Sequence, residues 1–307
     1  MKDDQDSPTY AGIRSMLRMA YEPFADGWEA GQVCVVGVPF DLAVTNRPGS
    51  RFGPAAIRDA SLMVSDLTHY PTGHRVAELG VDTGDALLDA HNPHSIPAAI
   101  TARINQVLAA DCIPLSLGGD HYITLPILRA VTEKHGPVAL VHFDAHSDTW
   151  EPQDAGEPQQ EMNHGSMFVY ALREGLIDVD RTIQVGIRTH NPDTRGITII
   201  DAPDMRRLGP AAVADRIREQ VGDGAAYLTF DIDFLDPAFA PGTGTPVPGG
   251  ATTGDAQDII RGLGGIHWVG ADVVEVAPSY DGTGQITALA GATIAAEWLA
   301  LLAAARV

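Results

Sequence analysis

Short apolar runs alternate with helical patterns along most of the chain, and this alternation restricts the possible folds more than any other feature of the sequence. The runs are almost continuously apolar, which is typical of strands in a parallel sheet covered on both faces. Strands separated by helices form right-handed βαβ units in one open sheet. We therefore predict an α/β fold with a mostly parallel central sheet. The predicted strands are VCVVGV, CIPLSL, VALVHF, TIQVGI, ITII, AYLTFDI and WVGADVVEV.

The helical patterns between these strands carry start and stop signals. Ser95 is the predicted N-cap of one helix, with Pro97 in its first turn. Gly136 and Gly222 each follow the last turn of a helix, where glycine is favoured. The predicted helices are GPAAIRDASLMV, SIPAAITARINQVLAA, LPILRAVTEKH, AAVADRIREQV and ITALAGATIAAEWLALLAAA.

No repeat, low-complexity tract or linker divides the chain of 307 residues, so we predict a single domain over residues 1–307. The longest segment without periodicity, residues 151–163, is acidic and contains glycine and proline. It follows directly after the polar cluster DAHSD, which favours an active-site loop over a domain boundary.

The formal net charge is −20, and such a surface repels the phosphate backbone of nucleic acids. The start of the chain shows no basic segment followed by an apolar one, and we expect that no apolar run approaches the length of a membrane span. The two cysteines, Cys34 and Cys112, lie in apolar runs and are predicted to be buried thiols. These features predict a cytoplasmic protein with neither nucleic-acid nor membrane partners.

Acidic and imidazole side chains gather where the predicted strands end. In doubly wound sheets, ligands bind beyond the carboxyl ends of the strands. Four strand ends therefore point to one site. The residues at these ends are Asp120 and His121, then Asp144, His146 and Asp148, then Asp231 and Asp233, and finally Glu275.

Buried carboxylates placed together repel one another unless a cation lies between them. A pair of divalent metal ions resolves this conflict, and aspartate and histidine suit Mn²⁺, with Zn²⁺ as a possible occupant. Paired ions about 3.5–4 Å apart lower the pKa of bound water to roughly 7 and so produce a nucleophile. The candidate ligands are His121, Asp144, His146, Asp148, Asp231 and Asp233.

Each motif alone also has a structural interpretation. The DxHxD triplet resembles a capping network, GGDH resembles a tight turn, and aspartates commonly begin turns. The joint pattern favours the metal site over these separate readings. His142, inside a predicted strand, is interpreted as a core histidine rather than a ligand, and Asp272 as structural.

The motifs GGDH, DAHSD, DIDFLDPAFAPGTGTPVPGG and DVVEVAP resemble those of the ureohydrolases, which include arginases and agmatinases and cleave guanidino compounds to urea and an amine. The segments VPFDLAVTNRPGSRFGPAAIR and EGLIDVDRTIQVGIRT are most similar to bacterial agmatinases. The resemblance covers nearly the whole chain. It implies a three-layer α/β/α sandwich, a pair of Mn²⁺ ions in each subunit, and homo-oligomers that are trimers or hexamers.

The resemblance also implies roles for individual residues. His164 would transfer a proton, Glu275 would bind the substrate guanidinium, and Thr245 would lie near a hydroxide that bridges the ions. Asp148 would be catalytic as well as a ligand. One ion would be held by His121, Asp144, Asp148 and Asp231, and the other by Asp144, His146, Asp231 and Asp233.

The implied reaction is the hydrolysis of agmatine to putrescine and urea, a step of polyamine biosynthesis. The acidic loop after the cluster carries Glu151, Asp154, Glu157 and Glu161, and an acidic rim, with Glu161 nearest His164, favours a cationic substrate tail. Three alternatives remain open. They are a guanidino acid such as 4-guanidinobutyrate as substrate, a homologue that binds ligands without turnover, and a two-metal phosphoesterase, which is disfavoured because no glycine-rich phosphate cradle is present.

Overall fold

A computed structural model describes residues 8, 10–64, 68–152 and 162–305, and its centre is one sheet of nine strands. The strands follow the order β1-β3-β2-β4-β9-β8-β5-β6-β7, and every neighbouring pair is parallel. The strands are β1 Ala20–Tyr21, β2 Val33–Val38, β3 Gly80–Asp85, β4 Ile113–Gly118, β5 Ala139–Phe143, β6 Ile183–Ile187, β7 Thr198–Asp201, β8 Ala225–Asp231 and β9 His267–Val274.

Helices cover both faces of the sheet and bury its apolar strands. Successive strand side chains point to opposite faces, so Val33 and Val35 join one hydrophobic cluster while Cys34 and Val36 join the other. The first cluster includes side chains of α1, α5, α6, α7 and α8, and the second those of α2, α3 and α4. The helices are α1 Gly53–Val64, α2 Ile96–Ala109, α3 Thr124–His135, α4 Met167–Arg173, α5 Ala202–Leu208, α6 Pro210–Val221, α7 Thr253–Arg261 and α8 Ile286–Ala304.

This arrangement confirms the predicted three-layer α/β/α sandwich with a parallel central sheet. Cys34 and Cys112 are free and buried, as predicted. The prediction of a single domain over residues 1–307 stays a prediction, because the described residues do not include both ends of the chain.

The strand order explains why the site can form. The chain passes from β4 to β5 across a gap of two strands, which β9 and β8 fill later. Four neighbouring parallel strands, β4, β9, β8 and β5, therefore end at the same edge of the sheet. Each of the polar clusters found in the sequence stands at one of these ends, where ligands bind in open α/β sheets.

Several elements differ from the sequence prediction. Strands β1 and β3 were not predicted. Strand β3 lacks an apolar pattern, and its buried Asp82 is stabilised by an ion pair with Arg58 from α1, 2.8 Å away. The short helices α4, α5 and α7 were also not predicted. Ser95 does not cap α2 with its side chain, since its hydroxyl donates instead to the carbonyl of Asn92 at 2.8 Å.

The terminal helix α8 corrects the expectation that no apolar run approaches a membrane span. In the described part of the chain, it is the one helix long and apolar enough to cross a membrane by length and composition. Most of the helix is buried against the sheet and α1, and a helix that is apolar on all sides is typical of a protein core. Its one buried carboxylate, Glu297, pairs with Arg261 and His69.

Candidate active site

The strand ends place two histidines among four carboxylates. His121 lies in a short 3₁₀ turn directly after β4, and His146 lies two residues beyond Asp144, which follows β5. The carboxylate of Asp144 accepts a hydrogen bond from the backbone N–H of His146 at 2.6 Å, and so holds the loop in a tight turn. Asp231 does the same at the end of β8, where it accepts from the N–H of Asp233 at 2.8 Å.

The imidazole of His121 faces three carboxylates with Nδ1. This atom lies 3.1 Å from Oδ2 of Asp144, 3.0 Å from Oδ2 of Asp148 and 3.3 Å from Oδ2 of Asp231. His121 is fully buried, and Nδ1 makes no hydrogen bond of good geometry within the described residues. A buried nitrogen left without a partner among carboxylate oxygens is what a metal-binding site presents when its ligands are set in place.

The second histidine makes a similar group. Nδ1 of His146 lies 3.3 Å from Oδ1 of Asp144 and 3.0 Å from Oδ2 of Asp233. The two oxygens of Asp144 therefore face different imidazoles, which is the geometry expected of a carboxylate shared by two ions. Asp231 directs Oδ2 toward His121 and commits Oδ1 to the Asp233 amide, so the bridging role predicted for Asp231 stays a prediction.

The carboxylates are buried together, and their charges oppose one another. Burial raises the pKa of Asp231 well above its usual range, and the charges of Asp233 and Asp144 raise it further. Burial and the charge of Asp144 also raise the pKa of Asp233. Burial alone would raise the pKa of Asp144, but hydrogen bonds with His121 and His142 outweigh it and hold that pKa well below its usual range. Carboxylate and imidazole ligands in this number fit a pair of divalent ions.

The prediction that His142 is a core histidine agrees with its contacts. Its Nδ1 accepts from the side-chain amide of Gln184 at 3.1 Å, so Nε2 carries the proton and donates to Oδ2 of Asp144 at 2.8 Å. Both ring nitrogens are thereby engaged, and His142 orients a candidate ligand from behind.

His164 and Glu275 form a pair beside the cluster. Nδ1 of His164 lies 2.8 Å from Oε1 of Glu275, which also accepts from the backbone N–H of His121 at 2.9 Å. Glu275 has a φ of 64°, a left-handed backbone conformation that turns its side chain back toward the site. Its other oxygen, Oε2, is buried and has no hydrogen-bond partner among the described residues. One carboxylate oxygen is thus left for a ligand that donates a proton.

Thr45 contacts His164 from the opposite side and was not predicted from the sequence. Its backbone N–H donates to Nε2 of His164 at 3.0 Å, and its hydroxyl lies 2.8 Å from the same nitrogen. In the neutral imidazole Nδ1 therefore carries the proton, and in the charged form the Thr45 hydroxyl accepts the second one. Burial opposes that charge, but Glu275 outweighs it and raises the pKa of His164 to about 9.

A cavity of about 580 Å³ opens above these groups. Thr245 lines it, and its hydroxyl donates to Oδ2 of Asp233 at 3.2 Å, so Thr245 lies beside the cluster. Trp150 and Met162 add an apolar wall. The described residues that line the cavity are Thr45, His146, Asp148, Trp150, Glu151, Pro152, Met162, Asn163, His164, Gly165, Ser166, Asp231 and Thr245.

The acidic rim predicted for the loop is only partly within the described residues. Asp154, Glu157 and Glu161 lie outside them. Glu151 is described, and its two oxygens pair with Arg173 and Arg195, each at 2.5 Å. Glu151 is therefore neutralised by two guanidinium groups and contributes no free negative charge to the rim.

The fold and the cluster together define a class of protein, namely an α/β sandwich with a His/Asp cluster that could hold metal ions at the carboxyl ends of adjacent parallel strands. The family model of the arginase family matches residues 31–300. The chain is 49% identical to an agmatinase from Chromobacterium violaceum over 297 residues, which cover 96% of this chain and 90% of the relative. The chain belongs to the arginase family and is a hydrolytic enzyme of the ureohydrolase type.

Solved structures agree with this assignment. A hypothetical agmatinase from Burkholderia thailandensis is 48% identical, with a TM-score of 0.92 over 97% of this chain and 93% of that one. Proclavaminate amidino hydrolase from Streptomyces clavuligerus is 39% identical, with a TM-score of 0.90 over 97% of this chain and 99% of that one.

Proposed function

We propose that this enzyme hydrolyses agmatine and water to putrescine and urea with two Mn²⁺ ions in each subunit. The observation that carries the proposal is the unpartnered Oε2 of Glu275, a buried acceptor joined through a hydrogen bond to the candidate ligand His121. A guanidinium group has only donors to offer, so it matches such an acceptor. The similarity to agmatinases, at 49% identity over most of the chain, supports agmatine as the guanidino compound.

The residues grouped around His121 and those grouped around His146 would hold the ions. Bound divalent ions lower the pKa of water to about 7 and so supply a nucleophile at neutral pH. Ligand atoms of the first ion would come from His121, Asp144, Asp148 and Asp231, and those of the second from Asp144, His146, Asp231 and Asp233.

Glu275 and His164 would act on the substrate itself. Oε2 of Glu275 accepts from the guanidinium and fixes its carbon in the site, which removes much of the entropy cost of bringing the reactants together. The leaving amine needs a proton. His164 holds one at Nδ1, 2.8 Å from Oε1 of Glu275, and the Glu275 carboxylate outweighs burial and raises the pKa of His164, which favours binding of a second proton.

A urea assay tests the proposal. Metal-free protein should release urea from agmatine only after Mn²⁺ is added, and Asp144→Ala should abolish that release. Asp215→Asn, at an exposed carboxylate of α6, is the matched control and should retain full activity. Full activity of the Asp144 variant would refute its role, and a protein that binds Mn²⁺ but releases no urea from any guanidine would be a binding homologue instead.

A guanidino acid such as 4-guanidinobutyrate is the second candidate substrate. Glu151 lines the cavity, and its charge and that of Asp193 are balanced by Arg173 and Arg195, so this group has no net negative charge that would repel a carboxylate tail. The high structural similarity to proclavaminate amidino hydrolase supports the same alternative. Parallel assays on agmatine, arginine and 4-guanidinobutyrate separate these substrates by their kcat/KM.

We also propose that the enzyme is a cytoplasmic homo-oligomer, a trimer or a hexamer. Large apolar side chains are exposed on the single chain, including Phe24 at 73% and Leu87 at 94%, and such surfaces favour subunit contacts. The two free cysteines suit a reducing compartment. Light scattering of the purified protein tests the assembly, and a mass equal to one chain would contradict it.

A further inference from the structure

A chain of buried hydrogen bonds runs from the candidate ligand His121 to a carboxylate on the neighbouring strand. Nε2 of His121 lies 2.8 Å from the hydroxyl of Thr229, and that hydroxyl donates to Oδ1 of Asp272 at 2.6 Å. The other oxygen of Asp272 accepts from the hydroxyls of Thr124 and Tyr227, both at 2.9 Å. All five side chains are fully buried.

The number of available protons determines which group donates and which accepts in each of these hydrogen bonds. A threonine hydroxyl has one proton to donate, and an ionised carboxylate only accepts. Because the Thr229 proton goes to Asp272, the Thr229 oxygen must accept, and the proton between it and His121 belongs to Nε2. A metal ion binds the neutral imidazole, whose single proton would then be on Nε2, and Nδ1 of His121 would offer its lone pair to the ion.

That lone pair points into the cluster of Asp144, Asp148 and Asp231. We propose that Thr229 is a positioning residue, which fixes the tautomer of His121 and so presents Nδ1 to a divalent ion. The inference rests on the proposed metal centre and adds to it a residue that touches neither the ion nor the substrate. Thr229 and Asp272 are partners across β8 and β9, so the sheet register itself sets this contact.

A competing explanation is that the Thr229 hydroxyl serves only to donate a hydrogen bond to the buried carboxylate of Asp272. Thr124 donates to the same carboxylate and therefore provides a matched control. Thr124→Val removes one hydrogen bond from the same Asp272 and none from the His121 imidazole. Thr229→Val removes the bond to Asp272 and also the acceptor for His121, with nearly unchanged volume. Thr229→Ser keeps the hydroxyl.

Asp272→Asn gives an independent perturbation. Oδ2 must stay an oxygen, because it accepts from two hydroxyls, so the new amide NH₂ would take the place of Oδ1. That amide would donate to Thr229, whose own proton would then point to Nε2 of His121. The imidazole would move its proton to Nδ1, where it blocks a metal ion. Asp272→Asn should therefore weaken metal binding at least as much as Thr229→Val.

The experiment measures Mn²⁺ binding to the metal-free full chain by calorimetry and by the electron paramagnetic resonance signal of free Mn²⁺. We expect Thr229→Val to weaken the affinity of at least one site by about 10- to 100-fold, the usual effect of losing a partner of a metal-bound histidine. Thr229→Ser and Thr124→Val should stay within about threefold of the unsubstituted protein on the same scale. Circular dichroism confirms that each variant is folded. If Thr229→Val does not fold, the Mn²⁺ affinity of Asp272→Asn tests the inference in its place.

Two results would overturn the inference. One is unchanged Mn²⁺ affinity in folded Thr229→Val or Asp272→Asn, and the other is an equal loss in Thr124→Val. Failure of the unsubstituted protein to bind Mn²⁺ would instead refute the metal centre proposed above, so the two failures are distinguishable.

Discussion

Replacing Asp231 with Asn should separate the stability of the fold from the function of the site. Asp231 is buried beside Asp233 and Asp144, and these surroundings raise its pKa. An amide in its place carries no charge, and its NH₂ group would lie near Nδ1 of His121, which faces Asp231 at 3.3 Å. We therefore expect the metal-free variant to be at least as stable as the metal-free native protein, while urea release is lost.

The stabilisation by metal sets the size of the effect. An ion present at a hundred times its Kd stabilises a folded protein by about 2.7 kcal/mol, so two sites contribute about 5 kcal/mol. For a chain of this size that corresponds to a rise in Tm of roughly 10 °C. The native protein should show this rise when Mn²⁺ is added, and Asp231→Asn should show half of it or less.

The dependence on pH has a definite sign. A carboxyl whose pKa is raised in the folded state binds its proton more tightly there than in the unfolded chain. Its protonation therefore stabilises the fold at low pH, and that contribution is lost as the pH rises through the folded pKa. Metal-free native protein should lose stability relative to Asp231→Asn as the pH rises.

Thermal unfolding followed by calorimetry, with and without Mn²⁺ at several pH values, makes this measurement, with a urea assay on the same samples. Asp215→Asn controls for the loss of an exposed negative charge. A metal-free Asp231→Asn protein that unfolds several degrees below the metal-free native protein would refute the reasoning, because it would mean that this carboxylate stabilises the fold without an ion.

Three further substitutions give separate predictions. Glu275→Gln should lower kcat/KM for agmatine by about 10- to 100-fold, the range for losing a charged hydrogen bond, with Mn²⁺ affinity unchanged by calorimetry; lost Mn²⁺ binding would contradict this. Thr45→Val removes the acceptor for charged His164, so the alkaline limb of the kcat profile should move to lower pH, while Thr45→Ser should not move it. Glu151→Gln should change KM for agmatine by less than about twofold, because two arginines already neutralise Glu151. A tenfold rise in KM would instead support the hypothesis that Glu151 belongs to an acidic rim that attracts the substrate.

The metal cluster was predictable because it depends on a local signal. Apolar runs mark the strands, and polar residues such as Asp144 and Asp231 follow directly after them. Parallel strands end at one edge, so residues far apart in sequence can be assigned to one site without knowing the strand order. The order itself, with β8 and β9 inserted between β4 and β5, did not follow from the sequence.

The groups that the sequence did not reveal depend on distant contacts. Thr45 reaches His164 across 119 positions, and nothing in its own segment marks it. Strand β3 lacks an apolar pattern because the Asp82 ion pair with Arg58 replaces apolar packing. Thr229 has a β-branched side chain, which is common in strands. The sequence pattern therefore predicts a strand residue there but does not indicate that its hydroxyl contacts His121 and Asp272.

The insertion of β8 and β9 between β4 and β5 also has a consequence for biosynthesis. A nascent chain that has emerged only as far as β5 carries His121 and Asp144 but cannot bring them into their final spacing, because the two strands that separate them have not yet been translated. The site as described also needs Glu275, which directly follows β9, so it forms only after residues up to 275 have been translated.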